Sequence, residues 1–407
     1  MADRRLLHVL GGGAWQMPTV RLAKALGYRV LVTDMYRERP AYALADLHEA
    51  VDITDLEATL AVARRYGVDG ILCDTTDIGV PTAAYVAERL GLPGMGYETA
   101  LNFTSKARMR EVTRRVGLCA VRHETVHSLA ALCLAAEQIG LPAVVKPVDS
   151  QSGRGVSIVR TPPDLDRAWS YALSHSRQGR VIVEQFIEGV ELIVDGLVVD
   201  GSVTLLAIAI KSPYSDNPTI CSRIRYLSGQ HFERIKAVVE SANRSVIAAL
   251  GLRGGIFHAE YMLSGDEVIP IDVAARGGGV MIYRHVLPHV SGVDAMAATI
   301  RLAMGEAVNV EPSPIRRGAS IDFLRMPGGR LTRIVGAEAA AQAPGIAALH
   351  FNAVAGDTIG PLLHKEDRPG FIVALAETSD AAVGCAERAK ACLRVVVDGA
   401  DEAVPVQ

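Results

Sequence analysis

Apolar residues in the first hundred positions come in short unbroken blocks, LLHVL (6–10), YRVLVTD (28–34) and GILCD (70–74). Between them lie stretches near 19–26, 56–66 and 81–90 that read as helices. Short continuous apolar runs are strands buried on both faces, and strands that alternate with helices predict a parallel sheet covered on both sides. The segment LGLPGMGYETA, with three glycines and a proline, marks the end of this unit.

The pattern then changes. A helix is expected over 105–116, with Thr104 or Ser105 as its cap, followed by a strand near 121–125, a helix near 129–139 and the strand AVVKP. After a glycine-containing loop come the strand VSIV, a helix over 164–174 and the strand VIVEQFI. A second set of strands is legible in ELIVDGLVVDG, SVTLLAIAI and the pair FHAEYMLSGDEVIPIDVAA, with a helix over 231–250 before that pair. The text changes again at 313–317, and RRGASIDFLRM, HFNAVAGDTI, GFIVALAET and a terminal helix predict a small α+β unit. The expected division is therefore 1–98, 99–312 and 313–407, an α/β fold in three parts.

Composition narrows the classes of function. With 407 residues, 49% hydrophobic and 21% charged, the chain is globular and long enough for two or three domains. A net charge of −3 supplies no broad basic field, which argues against nucleic acid as a partner. No run approaches the roughly 18 apolar residues of a membrane span. The six cysteines form no CxxC pair, so free thiols and a cytoplasmic setting are expected.

The chemistry gathers in two places. In AVVKPVDSQSGRGV a strand delivers Lys146 into a loop carrying Ser152, Gly153 and Gly155, where backbone N–H groups can close on phosphate oxygens and the lysine adds charge. The lysine precedes the glycines, so this is not a P-loop. Glu260 and Asp272 sit on two strands joined by a short SGDE turn, hard oxygen donors of the kind that magnesium takes. Together they point to ATP with Mg2+, Mn2+ being an alternative ion. KSPYSDNPTICSRIRY carries Lys211, Arg223 and Arg225, read either as a loop that holds a substrate carboxylate or γ-phosphate or as a solvated crossover. Tyr283 and His285 are read as wall of a substrate pocket. His285 and His289 have zinc-compatible spacing but no third ligand in sequence. The GGGAWQMP turn with Asp34 lacks the third glycine of a dinucleotide fingerprint and is read as a tight strand-to-helix turn.

As a set, in this order, these residues resemble the ATP-grasp superfamily, in its carboxylate–amine ligase and biotin-carboxylase-like branch. The resemblance covers most of the chain, including GD and DR-x-GF text within Gly356–Phe371. It implies an N-terminal Rossmann-like parallel sheet, a central ATP-grasp module of two subdomains and a small C-terminal domain. By it, Lys106 and Lys146 are the nucleotide lysines and the loop around Gly153 and Gly155 is a flap over the triphosphate. Glu184 and Ile187 are the adenine hinge, Glu191 is the ribose ligand, Glu260 and Asp272 are the metal ligands, and Arg276 steadies the transferring group. The implied reaction activates a carboxylate as an acyl phosphate and joins it to an amine, with small-molecule substrates and a homodimer as the expected assembly. The chain departs from the family at Ala274, where Glu-x-Asn-x-Arg reads Asp272-Val-Ala-Ala-Arg276. That departure keeps a catalytically silent nucleotide-binding subunit in view, beside a bicarbonate-activating carboxylase.

Overall fold

The structure, a computed structural model, describes residues 4–118, 121–150, 153–398 and 403–407. Four parallel strands open the chain: β1 (Leu6–Leu10), β2 (Arg29–Asp34), β3 (Leu47–Ala50) and β4 (Gly70–Leu72), in the order β3-β2-β1-β4. Helices α1 (Met17–Ala25), α2 (Leu56–Tyr66) and α3 (Val80–Leu90) connect or follow them. Their ends follow local rules. Asp55 caps α2 by accepting from the Ala58 N–H, and Gly67 and Gly91 close α2 and α3 in the left-handed conformation. The short edge strand β3 was not anticipated, because LHEA has too few apolar residues to read as a strand. At the first turn, Asp34 accepts from the Gly12 N–H at 2.8 Å and pairs with Arg39 at 2.8 Å. This acid therefore braces its own turn, as the reading of a tight strand-to-helix turn expects.

Helix α4 (Tyr97–Thr104) runs across the stretch expected to divide the first two units, and α5 (Lys106–Arg115) follows, capped by Ser105. A small antiparallel sheet then forms from β5 (His123–Val126), β6 (Ala143–Pro147), β7 (Ser157–Val159) and β8 (Val181–Gln185), in the order β5-β8-β6-β7. Helices α6 (Leu129–Ile139) and α7 (Leu165–Ser174) bury its apolar face. Next come β9 (Val190–Val199), β10 (Ser202–Tyr214), β11 (Asn217–Tyr226), α8 (Gly229–Leu250), β12 (Gly255–Ser264) and β13 (Glu267–Ala274). The expected basic loop at 211–226 is instead the β10–β11 hairpin, because CSRIRY alternates polar and apolar positions in register with β10. Short helices α9 (Leu287–Ser291) and α10 (Ala295–Ala303) lead to the last section.

That section holds β14 (Gly318–Phe323), β15 (Gly329–Val335), α11 (Ala337–Ala341), β16 (Ile346–Phe351), β17 (Thr358–Ile359), β18 (Gly370–Ala376), α12 (Ser379–Ala391), β19 (Arg394–Val397) and β20 (Val404–Pro405). Three of its strands extend the central sheet, giving eight strands in the order β13-β12-β9-β10-β11-β14-β18-β16. Hydrogen bonding thus continues across residues 312–313. The reason lies in β14, whose residues are all buried and which needs a neighbour on each edge. The others form a four-stranded sheet, β17-β15-β19-β20. No helix among the described residues is long and apolar enough to cross a membrane.

Gly318 marks where this section closes on itself. A Cβ there would lie 2.2 Å from the Ser379 backbone nitrogen at the start of α12, which itself donates to Ser228 Oγ at 2.9 Å. Gly318→Ala is expected to destabilise the protein by about 1–3 kcal/mol through overpacking, measured by urea unfolding.

Candidate active site

A cavity of about 1240 Å3 lies between the small sheet, the eight-stranded sheet, the first glycine turn and the segment around Lys365–Phe371. Strand periodicity decides which side chains enter it. On the small sheet Val144 pairs with Glu184 and Lys146 with Ile182, so all four share one face and Lys146 reaches Glu184 diagonally at 2.7 Å. Glu184 also takes Arg110 from α5, with Nε at 2.7 Å and Nη2 at 3.0 Å. Arg110 is fully buried and donates onward to the carbonyl of Pro270. Burial works against a charged Glu184, but Arg110 and Lys146 outweigh it and hold the carboxyl well below the usual carboxylate range. Lys146, desolvated and sharing Glu184 with Arg110, is drawn below the usual lysine range.

On the eight-stranded sheet, cross-strand pairing puts Glu260 directly opposite Asp272 on one side and Ile193 of β9 on the other, with Ala209 of β10 next in the row. The same face carries Glu191, Asp195, His258 and Lys211, each two residues from a member of that row. Lys211 Nζ lies between Glu191 and Glu260, at 3.1 Å from the latter. Lys106 Nζ lies 3.0 Å from Asp272 and 2.9 Å from the Ser150 carbonyl. Burial opposes the charge of Lys211, yet Glu260 and Glu191 raise it above the lysine range. Burial likewise opposes that of Glu260, yet Lys211 and then Lys365 hold it low. The carboxylates fit a divalent ion in kind, since each already faces an ammonium group where a cation would sit. Arg276 follows β13 and is oriented by Asp77, with Nε–Oδ1 at 2.8 Å.

The other expected residues divide. Gly153 and Gly155 have φ of +72° and +74°, and Gly153 lines the cavity beside Lys365. Ser152 lies outside the described residues. Ile187 and Tyr283 line the cavity. Glu184 does so too, with its carboxylate taken by Arg110 and Lys146. Arg223 and Arg225 are corrected: they alternate with Ile224, which shares Lys211's face, so they point to the opposite side of the sheet. There they pair with Asp322 and Glu387, and with Asp380. His285 is not among the lining residues, and no three His, Cys, Asp or Glu side chains converge on a metal point among the described residues.

Several participants went unread. Arg110 stands four residues after Lys106 on one helix, a spacing that would have disclosed it. Lys365 and Arg368 come from the C-terminal text and line the cavity, with Arg368 3.5 Å above the Phe323 ring. Trp15 stacks near His350 and Phe371, at 5.4 and 6.1 Å between centroids. Asp77 carries no local signal.

Family models match in chain order: an ATP-grasp N-terminal domain over residues 20–94, an ATP-grasp domain over 139–284, and an L-amino acid ligase C-terminal domain 2 over 322–398. The formate-dependent phosphoribosylglycinamide formyltransferase of Erythrobacter litoralis is 30% identical over 309 residues, 72% of this chain and 76% of its own length. The chain belongs to the ATP-grasp superfamily. The formyltransferase of the same name from Methanocaldococcus jannaschii is 30% identical over 66% of this chain and 69% of its own. Among solved structures, the L-amino acid ligase of Bacillus licheniformis superposes with a TM-score of 0.81 at 22% identity, over 98% of this chain and 100% of its own. Within the superfamily the chain falls in the carboxylate–amine ligase branch, an ATP-dependent enzyme that forms C–N bonds with release of ADP.

Glu184 sets an acid limit on the fold. Its carboxyl titrates lower folded than unfolded, so its contribution is present above the unfolded carboxylate range, near pH ~4.3, and is lost as pH falls toward the folded value. Glu184→Gln, which leaves Arg110 and Lys146 facing a neutral amide, is expected to cost about 3–5 kcal/mol at pH 7 and to flatten the acid limb of the stability profile, both read by denaturant titration at several pH values.

Proposed function

We propose that this cavity binds ATP with Mg2+ and phosphorylates a small carboxylic acid to an acyl phosphate, which an amine then attacks to give an amide and free phosphate. The observation that carries this reading is the convergence on one cavity of two unlike faces. One bears Lys146 with the glycine loop, and the other the opposed carboxylates Glu260 and Asp272.

Each residue then has a task. Lys106 and Lys146 meet the phosphates, and the Gly153–Gly155 loop covers them and excludes water. The backbone near Ile187 receives the adenine edge in an apolar slot, and Glu191 the ribose. Glu260 and Asp272 would hold the magnesium, whose charge offsets that on the transferring phosphoryl group. Arg276, fixed by Asp77, meets the acyl phosphate as charge develops on it. Lys365 and Arg368, next to Trp15 and Phe371, form the part of the cavity proposed for the acid and amine. The relatives' names mention formate in one case and L-amino acids in another, which supports small carboxylates as the class to screen. We place the nucleotide module at 99–312, between units 1–98 and 313–407, and a homodimer in a reducing cytoplasm suits the free thiols.

Two measurements test this reading. Lys146→Ala is expected to raise the ATP dissociation constant about 10- to 100-fold, the loss of a charge-assisted contact, while circular dichroism stays unchanged; unaltered affinity by calorimetry refutes the assignment. In the second, amino acids and small carboxylates are screened for ADP release, and the active acid is then labelled with oxygen-18. The label is expected in the released phosphate, because a carboxylate oxygen attacks the γ-phosphorus and departs with it. Phosphate that draws its new oxygen from water instead marks a plain ATPase and refutes ligation.

A further inference from the structure

The alanine that breaks the family's metal pattern has a specific neighbour. Ala274 on β13 pairs directly with His258 on β12, two positions along the same two strands from the Glu260–Asp272 pair and on the same face. The four positions form a rectangle on the cavity face, with the two carboxylates at one end and a methyl group opposite an imidazole at the other. Gly278 also makes room for the ring, since a Cβ there would lie 3.0 Å from His258 Nδ1.

The ring is held in a defined state. Nδ1 lies 2.6 Å from Oδ1 of Asp195, which is fully buried, and the Tyr226 hydroxyl donates to Asp195 Oδ2 at 3.1 Å. An ionised carboxylate only accepts, so Nδ1 donates, and in the neutral imidazole the lone pair is left on Nε2. That nitrogen has no hydrogen-bond partner among the described residues, and the ring lines the cavity. A carboxylate behind one ring nitrogen with the other free is the arrangement that orients metal-binding histidines. Burying Asp195 costs free energy, and the ring it holds faces the carboxylates rather than the core.

We propose that His258 Nε2 is a ligand of the divalent ion that enters with the nucleotide, supplying across the sheet the donor that Ala274 cannot supply along its own strand. This rests on the ATP and metal reading above. Lys106 holds Asp272 and Lys211 holds Glu260, which is why the donors do not already converge among the described residues. Lys106 and Lys211 would turn toward phosphate in the complex, leaving Asp272 and Glu260 to join His258 as ligands. A nitrogen donor among oxygens favours Mn2+ over Mg2+ more than an all-oxygen set does.

The test uses the full chain with Mn2+ and ADP, in one sample with natural histidine and in another with nitrogen-15 histidine. Pulsed EPR is expected to show a directly bound imidazole nitrogen whose frequencies change with the label, which separates protein from adenine nitrogen. His258→Ala should abolish that coupling and weaken Mn2+ binding in the ADP complex by about 10- to 100-fold, and adding Ala274→Asn should recover most of the affinity. Asp195→Asn, which changes the partner of Nδ1 and of the Tyr226 hydroxyl but leaves Nε2 in place, should weaken binding while the coupling persists. Mn2+ that binds with ADP but shows no histidine coupling overturns the ligand and leaves the nucleotide site standing. No Mn2+ binding with ADP overturns both. Should His258→Ala fail to fold, the labelled wild-type spectra decide alone.

Discussion

One buried guanidinium joins the two halves of the site. Arg110 leaves α5, pairs through two nitrogens with Glu184 on the small sheet, and donates to the Pro270 carbonyl on β13 of the large sheet. Three elements distant in sequence are thereby held at one point with no exposure to water. Such an arrangement survives only if every charge is matched, because an unpaired ion at that depth costs several kcal/mol. Glu184 matches two cations at once, and the second is Lys146. The contact that fixes helix to sheet therefore also fixes one proposed phosphate lysine.

The large sheet solves a related problem. Its cavity face would present Glu191, Glu260 and Asp272 as a dense negative field, were Lys211 and Lys106 not lying among them. Each lysine offsets the charge of the carboxylates it touches, Lys106 that of Asp272 and Lys211 that of Glu191 and Glu260. Asp195 and His258 extend the logic down the same face, with Tyr226 satisfying the remaining oxygen.

The C-terminal section contributes more than a cap. Its strands β14, β18 and β16 lengthen the sheet that carries the carboxylates, and the segment before β18 brings Lys365 and Arg368 into the cavity. Gly153 packs beside Lys365, and Arg154 lies 3.7 Å from Glu366. The loop proposed to cover the phosphates and the region proposed for the acid and amine thus touch.

The sequence by itself determined the local order of the fold: parallel strands with helices, then a lysine strand, a glycine loop and a carboxylate hairpin. Those features depend on neighbours within a few residues, on apolar period, caps and turns. It also placed Lys106, Lys146, Glu260 and Asp272 where they line the cavity. It did not disclose β3, whose LHEA composition resembles a loop, or β11, whose polar alternation resembled a basic crossover. What only the tertiary structure decided was which side of a sheet each polar residue faces and what it meets there. Arg223 and Arg225 are as basic as Lys211, yet pairing in register sends them to the far side, onto Asp322, Glu387 and Asp380. Glu184 meets two cations rather than solvent, and His258 stands across from Ala274, because strand register is set by long-range packing, and a shift of one residue would turn every one of these side chains to the other face.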